Sequence, residues 1–260
     1  MHVRECLVAM GLTMALAAPS LAEVKTRVVD YKQGETDLQG LIAWNDQSTG
    51  KRPGVVIVHE WWGHNEHARN QARRLAEAGY VAFALDMYGK GKVATHPDDA
   101  NRFMSEATKD PAVVKARFDA ALAQLKSDPH VDPTKIAAIG YCFGGGVVLN
   151  MAAAGEDLAA VATFHGALSA LGPVAPGAIK GRVLVMTGAD DPLVPPDQVD
   201  AFRKKMAEAG VKSEVVILPG AKHSFTNPDA GKAGMPQLAY NAEADKASWA
   251  DLLAFLKSTF

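Results

Sequence analysis

Cysteine is scarce in this chain: two occur among 260 residues, Cys6 and Cys142. A disulfide-dense fold is excluded, because two cysteines close at most one bridge. Basic excess is missing too. Lysine and arginine number 27 against 29 acidic residues, a net charge of −2, and no stretch concentrates positive charge. That argues against a nucleic-acid or anionic-membrane partner, which needs a clustered basic surface. No apolar run reaches the roughly 20 residues of a comfortable membrane span. The sequence also lacks the repeats, low-complexity tracts and linkers that would divide it.

The apolar run that opens the chain, Leu7 to Ala18 in MHVRECLVAMGLTMALAAPSLA, follows Arg4 and ends at Ser20-Leu21-Ala22. That layout is a secretory signal peptide over residues 1–22, cut between Ala22 and Glu23; an uncleaved amphipathic anchor is the competing reading. Cys6 lies outside a lipoprotein pattern. The expected location is periplasmic or secreted, with no stable membrane association after cleavage and residues 23–260 as one domain. Cys142 is then the only thiol, in an oxidising compartment where a free thiol needs a reason. Burial would be one and catalysis another.

What is present alternates. TRVVDY and LQGLIAW read as an opening hairpin with Gly34 at the turn. PGVVIVHE, YVAFALD, KIAAIGY, LAAVATFHG, RVLVMTGADD and SEVVILPGA are short apolar runs of the kind buried on both faces of a parallel sheet. Helical spacing appears between them, in HARNQARRLAEAG, AVVKARFDAALAQLKS, GGGVVLNMAAA and PDQVDAFRKKMAEAG, and in a closing helix from Ala242. The expected class is α/β, a mostly parallel sheet with helices on both faces. In such sheets ligands sit beyond the carboxyl ends of the strands.

Gly140-Tyr141-Cys142-Phe143-Gly144 has the spacing of a nucleophile elbow between a strand and a helix. The turn lifts the side chain off the strand end, and the helix N-terminus behind it favours a thiolate. A base and its orienting acid are expected after later strands. His223 follows SEVVILPGAK, and Asp191 in TGADDPLVPP is the acid, with Asp190 as the alternative. The order nucleophile, acid, histidine is that of the α/β-hydrolase fold.

HEWWGH nearly spells a zinc motif, but His59 and His64 are five apart rather than four, with Gly63 between them. His67 and Glu66 do not repair the spacing. These read as scattered surface histidines, and no metal or cofactor is expected.

Taken together, HEWWG, DMYGKG, GYCFGGG, ADDPLVP and AKHSF resemble the dienelactone hydrolase (carboxymethylenebutenolidase) family, across essentially all of residues 23–260. The resemblance implies an α/β-hydrolase fold with a Cys142-His223-Asp191 triad. It implies that Glu60 contacts the resting thiol and is displaced by substrate, and that the backbone N–H groups of Trp61 and Phe143 form an oxyanion hole. Trp62 and Tyr88 are expected as pocket walls, Asp86 as structural and His165 as packing behind the site. One departure stands out: where family members carry a carboxylate-binding arginine four residues after the histidine, this chain has Asn227. Arg102 and Lys90 are the basic residues of the 87–110 segment. The expected activity is cleavage of a small ester or lactone through a thioester acyl-enzyme, with dienelactone itself in doubt. The alternatives are a non-catalytic binding protein of the same fold and a single-cysteine redox protein. Oligomeric state is not legible.

Overall fold

The computed structural model describes residues 23–47 and 49–260; the signal peptide expected over residues 1–22 lies outside them. The hairpin forms as expected, with β1 (Val24–Gln33) antiparallel to β2 (Thr36–Asn45) and Gly34 at φ +54° in the turn. β2 pairs antiparallel with β4 (Val81–Ala84). All remaining pairings are parallel. They run through β3 (Arg52–Val58), β5 (Val131–Tyr141), β6 (Ala160–Phe164), β7 (Arg182–Gly188) and β8 (Ser213–Leu218). The order across the eight strands is β1-β2-β4-β3-β5-β6-β7-β8.

Side chains of successive strand residues point to opposite faces, and β3 shows what that does here. Val56 and Val58 pack into one apolar cluster, Val55 and Ile57 into the other. The first cluster is closed by α3 (Pro111–Ser127), α4 (Phe143–Ala153) and α5 (Pro196–Glu208), through Phe118, Val148 and Phe202 among others. The second is closed by α1 (Glu66–Glu77) and α6 (Ala242–Lys257), through Ala72, Leu75, Leu252 and Leu256. Central strands buried on both faces explain the continuous apolar runs.

Helix starts follow local chemistry. Asn65 caps α1 by accepting from the Ala68 N–H, and Asp110 caps α3 ahead of Pro111 by accepting from Ala112 N–H. A helix not anticipated from the sequence, α2 (Pro97–Thr108), occupies the 87–110 segment. No helix of the described residues is long and apolar enough to cross a membrane.

The order β4-β3-β5 sets the site. The chain leaves β3 for β4 on one side and returns to β5 on the other, so the crevice beyond the carboxyl ends of β3 and β5 is a switch point of the sheet. Glu60 follows β3, and Cys142 follows β5.

Candidate active site

The elbow is built from glycine. Cys142 stands at the N-terminus of α4 with φ +52° and ψ −116°, a conformation side chains rarely adopt. The chain folds back so tightly that a Cβ on Gly140 would lie 2.1 Å from the Gly144 carbonyl oxygen. A Cβ on Gly144 would lie 2.3 Å from the oxygen of Val58, and one on Gly145 would lie 2.5 Å from the Gly166 Cα. The turn is also pinned by Cys142 N–H donating to Phe164 O, 3.1 Å, and by Gly145 and Ala167 N–H groups donating to Cys142 O, 3.0 and 3.1 Å. The half-buried thiol thus sits at the positive end of α4.

His223 and Asp191 meet as expected: Nδ1 lies 2.8 Å from Asp191 Oδ2, and both side chains are buried. Asp191 itself is fixed by the Leu193 N–H, 2.8 Å from its Oδ1. Asp190, by contrast, is exposed. The other ring nitrogen, His223 Nε2, is buried with no hydrogen-bond partner. Burial alone would lower the pKa of this ring. Interaction with Cys142, then with Asp191, outweighs that effect and raises it to about 10. Its neighbours Cys142 and Asp191 therefore favour the protonated ring.

Glu60 is 1% exposed and turned to the loop after His223. Its Oε1 accepts from Ser224 Oγ at 2.6 Å and its Oε2 from Asn227 Nδ2 at 2.6 Å. His67 Nδ1 lies 3.7 Å away. Both oxygens are thus engaged by the loop after His223. Asn227, where the family pattern has arginine, holds this carboxylate with a neutral amide. Ser224, at φ +57°, was not anticipated; its place next to His223 in the sequence was the available signal.

Phe143 directly follows Cys142 at the start of α4, and Trp61 follows Glu60 after β3. As the first helical residue, Phe143 has an N–H without an intrahelical acceptor. Tyr88 fixes the Trp61 backbone by donating its hydroxyl to Trp61 O, 3.1 Å. Its ring lies edge-on to His59 and 5.7 Å from that of Phe143. Burial, then the charge of Cys142, raises the Tyr88 pKa, so it remains a neutral donor beside the site. Trp62 packs into a small cluster with Ala94, Ala100, Ala230 and Leu238, with the half-buried Trp61 against it. Asp86 accepts from the N–H groups of Tyr88 and Gly89, 2.8 and 2.9 Å, which makes it structural. The two basic residues are spent elsewhere: Arg102 on Asp99 and Glu106, Lys90 on Asp30, all exposed.

The histidines of the HEWWGHNEH stretch require a correction. They are not on the surface: His59, His64 and His67 are 0%, 5% and 9% exposed. The strand-end turn and α1 fold them inward, where His59 and His67 take structural parts. His59 Nδ1 lies 2.5 Å from Glu60 O, while Nε2 accepts from Met87 N–H, 3.2 Å. His67 Nε2 lies 3.2 Å from Thr226 O. His165, fully buried at φ +41°, is 2.9 Å from Thr226 Oγ1 through Nε2, with its ring edge-on to His223.

Burial lowers the pKa of His59, His64 and His165, that of His64 to about 3 with added repulsion from His59 and Arg69. A neutral His165 does not compete with His223 for the proton. The unfolded chain binds these protons near pH 6.5, so their effect on stability is absent above that value. As pH falls from about 6.5 toward 3, the unfolded state binds more protons and stability drops, by up to about 1.4 kcal/mol per pH unit for each histidine. Urea unfolding midpoints should fall between pH 7 and 4.5, less steeply in His64→Gln; a flat wild-type profile would contradict neutral burial.

A mostly parallel eight-stranded sheet with a strand–turn–helix elbow at its switch point defines the α/β-hydrolase class. The chain belongs to the dienelactone hydrolase family, whose model matches residues 38–260. Protein usf of Aquifex pyrophilus is 31% identical over 209 residues, spanning 77% of this chain and 87% of that protein. A dienelactone hydrolase-like promiscuous phosphotriesterase from metagenomic libraries superposes with a TM-score of 0.85 at 40% identity, covering 91% of this chain and 99% of its own. A dienelactone hydrolase from Anabaena variabilis ATCC 29413 shares the fold at 22% identity and a TM-score of 0.58, over 87% of this chain and 96% of that one. Membership makes the chain a hydrolase with a small-molecule substrate.

Proposed function

We propose that the protein cleaves small carboxylic esters or lactones through a thioester on Cys142. The observation that carries this reading is the placement of His223, with Nδ1 held by Asp191 and Nε2 left bare beside a thiol on a helix N-terminus. The thiolate attacks the carbonyl carbon, and the N–H groups of Trp61 and Phe143 receive the oxyanion. When the tetrahedral intermediate collapses, the C–O bond breaks and protonated His223 gives its Nε2 proton to the departing alkoxide. Neutral His223 then takes a proton from water as the hydroxide adds to the thioester. Collapse of that second intermediate releases the acid and restores thiolate and imidazolium. No other group has to supply or remove charge.

Glu60 acts as a gate in this reading: turned toward Ser224 and Asn227, it leaves the sulfur free to pair with His223. Arg102 and Lys90 are ion-paired elsewhere, and Asn227 stands where the family pattern has arginine, which favours neutral substrates over carboxylate-bearing ones such as dienelactone. The test is p-nitrophenyl acetate hydrolysis by residues 23–260 before and after alkylation of the single thiol. Alkylation should abolish turnover, and activity surviving full alkylation refutes the thiol mechanism. Glu60→Gln should change the pH dependence of turnover or the rate of peroxide inactivation; no change in either removes the gate.

A further inference from the structure

Three glycines open α4, and the third of them packs closely on the segment 167–170. Gly146 carries no side chain where α4 meets the segment 167–170; a Cβ there would lie 3.2 Å from both Ala167 O and Ala170 Cβ. Beside it runs an open groove of about 510 Å³, within the roughly 300–1,000 Å³ of small-molecule sites. Phe143, Val147 and Met151 of α4 form one wall, Met104 and Val114 the other, and Ala167 closes the end nearest the elbow. The groove borders the elbow through two residues: Phe143 follows Cys142, and the Ala167 N–H is bonded to the Cys142 carbonyl.

Its chemistry is one-sided. None of its lining residues carries a charge. Two have polar side chains, and both are occupied within the fold. Thr108 Oγ1 donates to Met104 O, 2.8 Å. Asn150 Nδ2 donates to Gly146 O and Ala170 O, 2.8 and 2.9 Å, while its Oδ1 accepts from Gly172 N–H, 3.1 Å. An occupant would find apolar contact and no bonding partner, so a polar or charged group would lose its hydration without return.

We infer that this groove is an acyl-binding site, and that it selects uncharged substrates with a medium-length alkyl or single-ring acyl arm. The assignment deepens the esterase reading above and rests on it. The acyl part stays on Cys142 in the thioester, with its carbonyl oxygen beside the Phe143 N–H, and Phe143 borders the groove. Two flexible methionines in the walls suit arms of varied shape.

The test separates binding from turnover. Octanamide, a neutral mimic of the acyl arm, is titrated into methyl-labelled protein while the Met104 and Met151 signals are followed. Both should shift and saturate, and Ala170→Phe, which narrows the mouth, should weaken the effect. In parallel, kcat/KM for p-nitrophenyl esters should rise at least about tenfold from acetate to octanoate. Ala170→Phe should remove that gain through KM and leave acetate within about twofold. Thr108→Phe, on the opposite rim, should act alike and guards against a folding artefact at one position. Unmoved methionine signals overturn the inference, as does an equal loss for acetate and octanoate. A dimer whose dissociation exposes both methionines also overturns it, by giving the groove to a second copy. Saturable octanamide binding in a protein that hydrolyses no ester would fail the catalytic reading and leave an apolar acyl site standing.

Discussion

Cys142→Ala should lower kcat/KM for p-nitrophenyl acetate at least about a thousandfold while the protein remains folded. The substitution deletes the sulfur and little else. The φ of +52° belongs to the turn rather than to the thiol, and alanine meets the same backbone strain as cysteine. What is lost is the atom that forms the thioester. Asp191→Asn should then cost about 10²–10⁴-fold in kcat, because its amide no longer holds the Nδ1 proton that leaves Nε2 facing the sulfur. Asp190→Asn, altering an exposed side chain one residue away, should leave kcat within about twofold. His223→Ala supplies a separate readout. It removes the cation that forms beside the sulfur, so alkylation of Cys142 by iodoacetamide at pH 7 should slow by about tenfold or more. Turnover that survives in Cys142→Ala would move the chemistry to another residue. Alkylation unchanged in His223→Ala would break the pairing on which the mechanism depends.

Much of this arrangement was legible in the residues because it is local. The Gly-x-Cys-x-Gly spacing dictates a tight turn, and continuous apolar runs such as Val55 to Val58 dictate strands covered on both faces. Asp191 and His223 could be placed because each follows a strand at the carboxyl end of the sheet. α2 was missed because its stripe of Ala100, Phe103, Met104 and Ala107 is short, and only Ala100 and Ala107 of its twelve residues are fully buried. Its start was signalled instead by Pro97 in the first turn and by Asp98 and Asp99 at the N-terminus. The inward turn of His59, His64 and His67 was illegible from spacing, which reports whether histidines can share a metal but not whether they are buried. Their partners, Glu60 O, Met87 N–H and Thr226 O, include groups 28 and 159 residues away in sequence. The Ser224 and Asn227 clamp on Glu60 is of the same long-range kind. Asn227 could be noted as departing from a family pattern, while the carboxylate it holds emerges from a different strand.

Gly144→Ala should be a damaging single-methyl change, lowering both stability and turnover. Its Cβ would lie 2.3 Å from Val58 O and 2.6 Å from His59 O. Both are backbone atoms at the end of β3, so no side chain can rotate aside. Relief requires α4 to move off the strand end, against the apolar cluster that holds Val147 and Val148 to the sheet. Overpacking of this kind costs about 1–3 kcal/mol, or very roughly 2–12 °C in Tm for a domain of this size. The same displacement moves the Phe143 N–H relative to Trp61, whose carbonyl is fixed by Tyr88. A misplacement of about 1 Å in such a site can cost 10²-fold in rate. Gly231→Ala is the control, since a Cβ there meets nothing within 4 Å and its φ is not in the positive range. Thermal denaturation and p-nitrophenyl acetate kinetics on both variants decide the matter. Gly144→Ala matching Gly231→Ala in Tm and rate would mean that α4 yields freely, and that close packing of α4 on β3 is not what sets the oxyanion site.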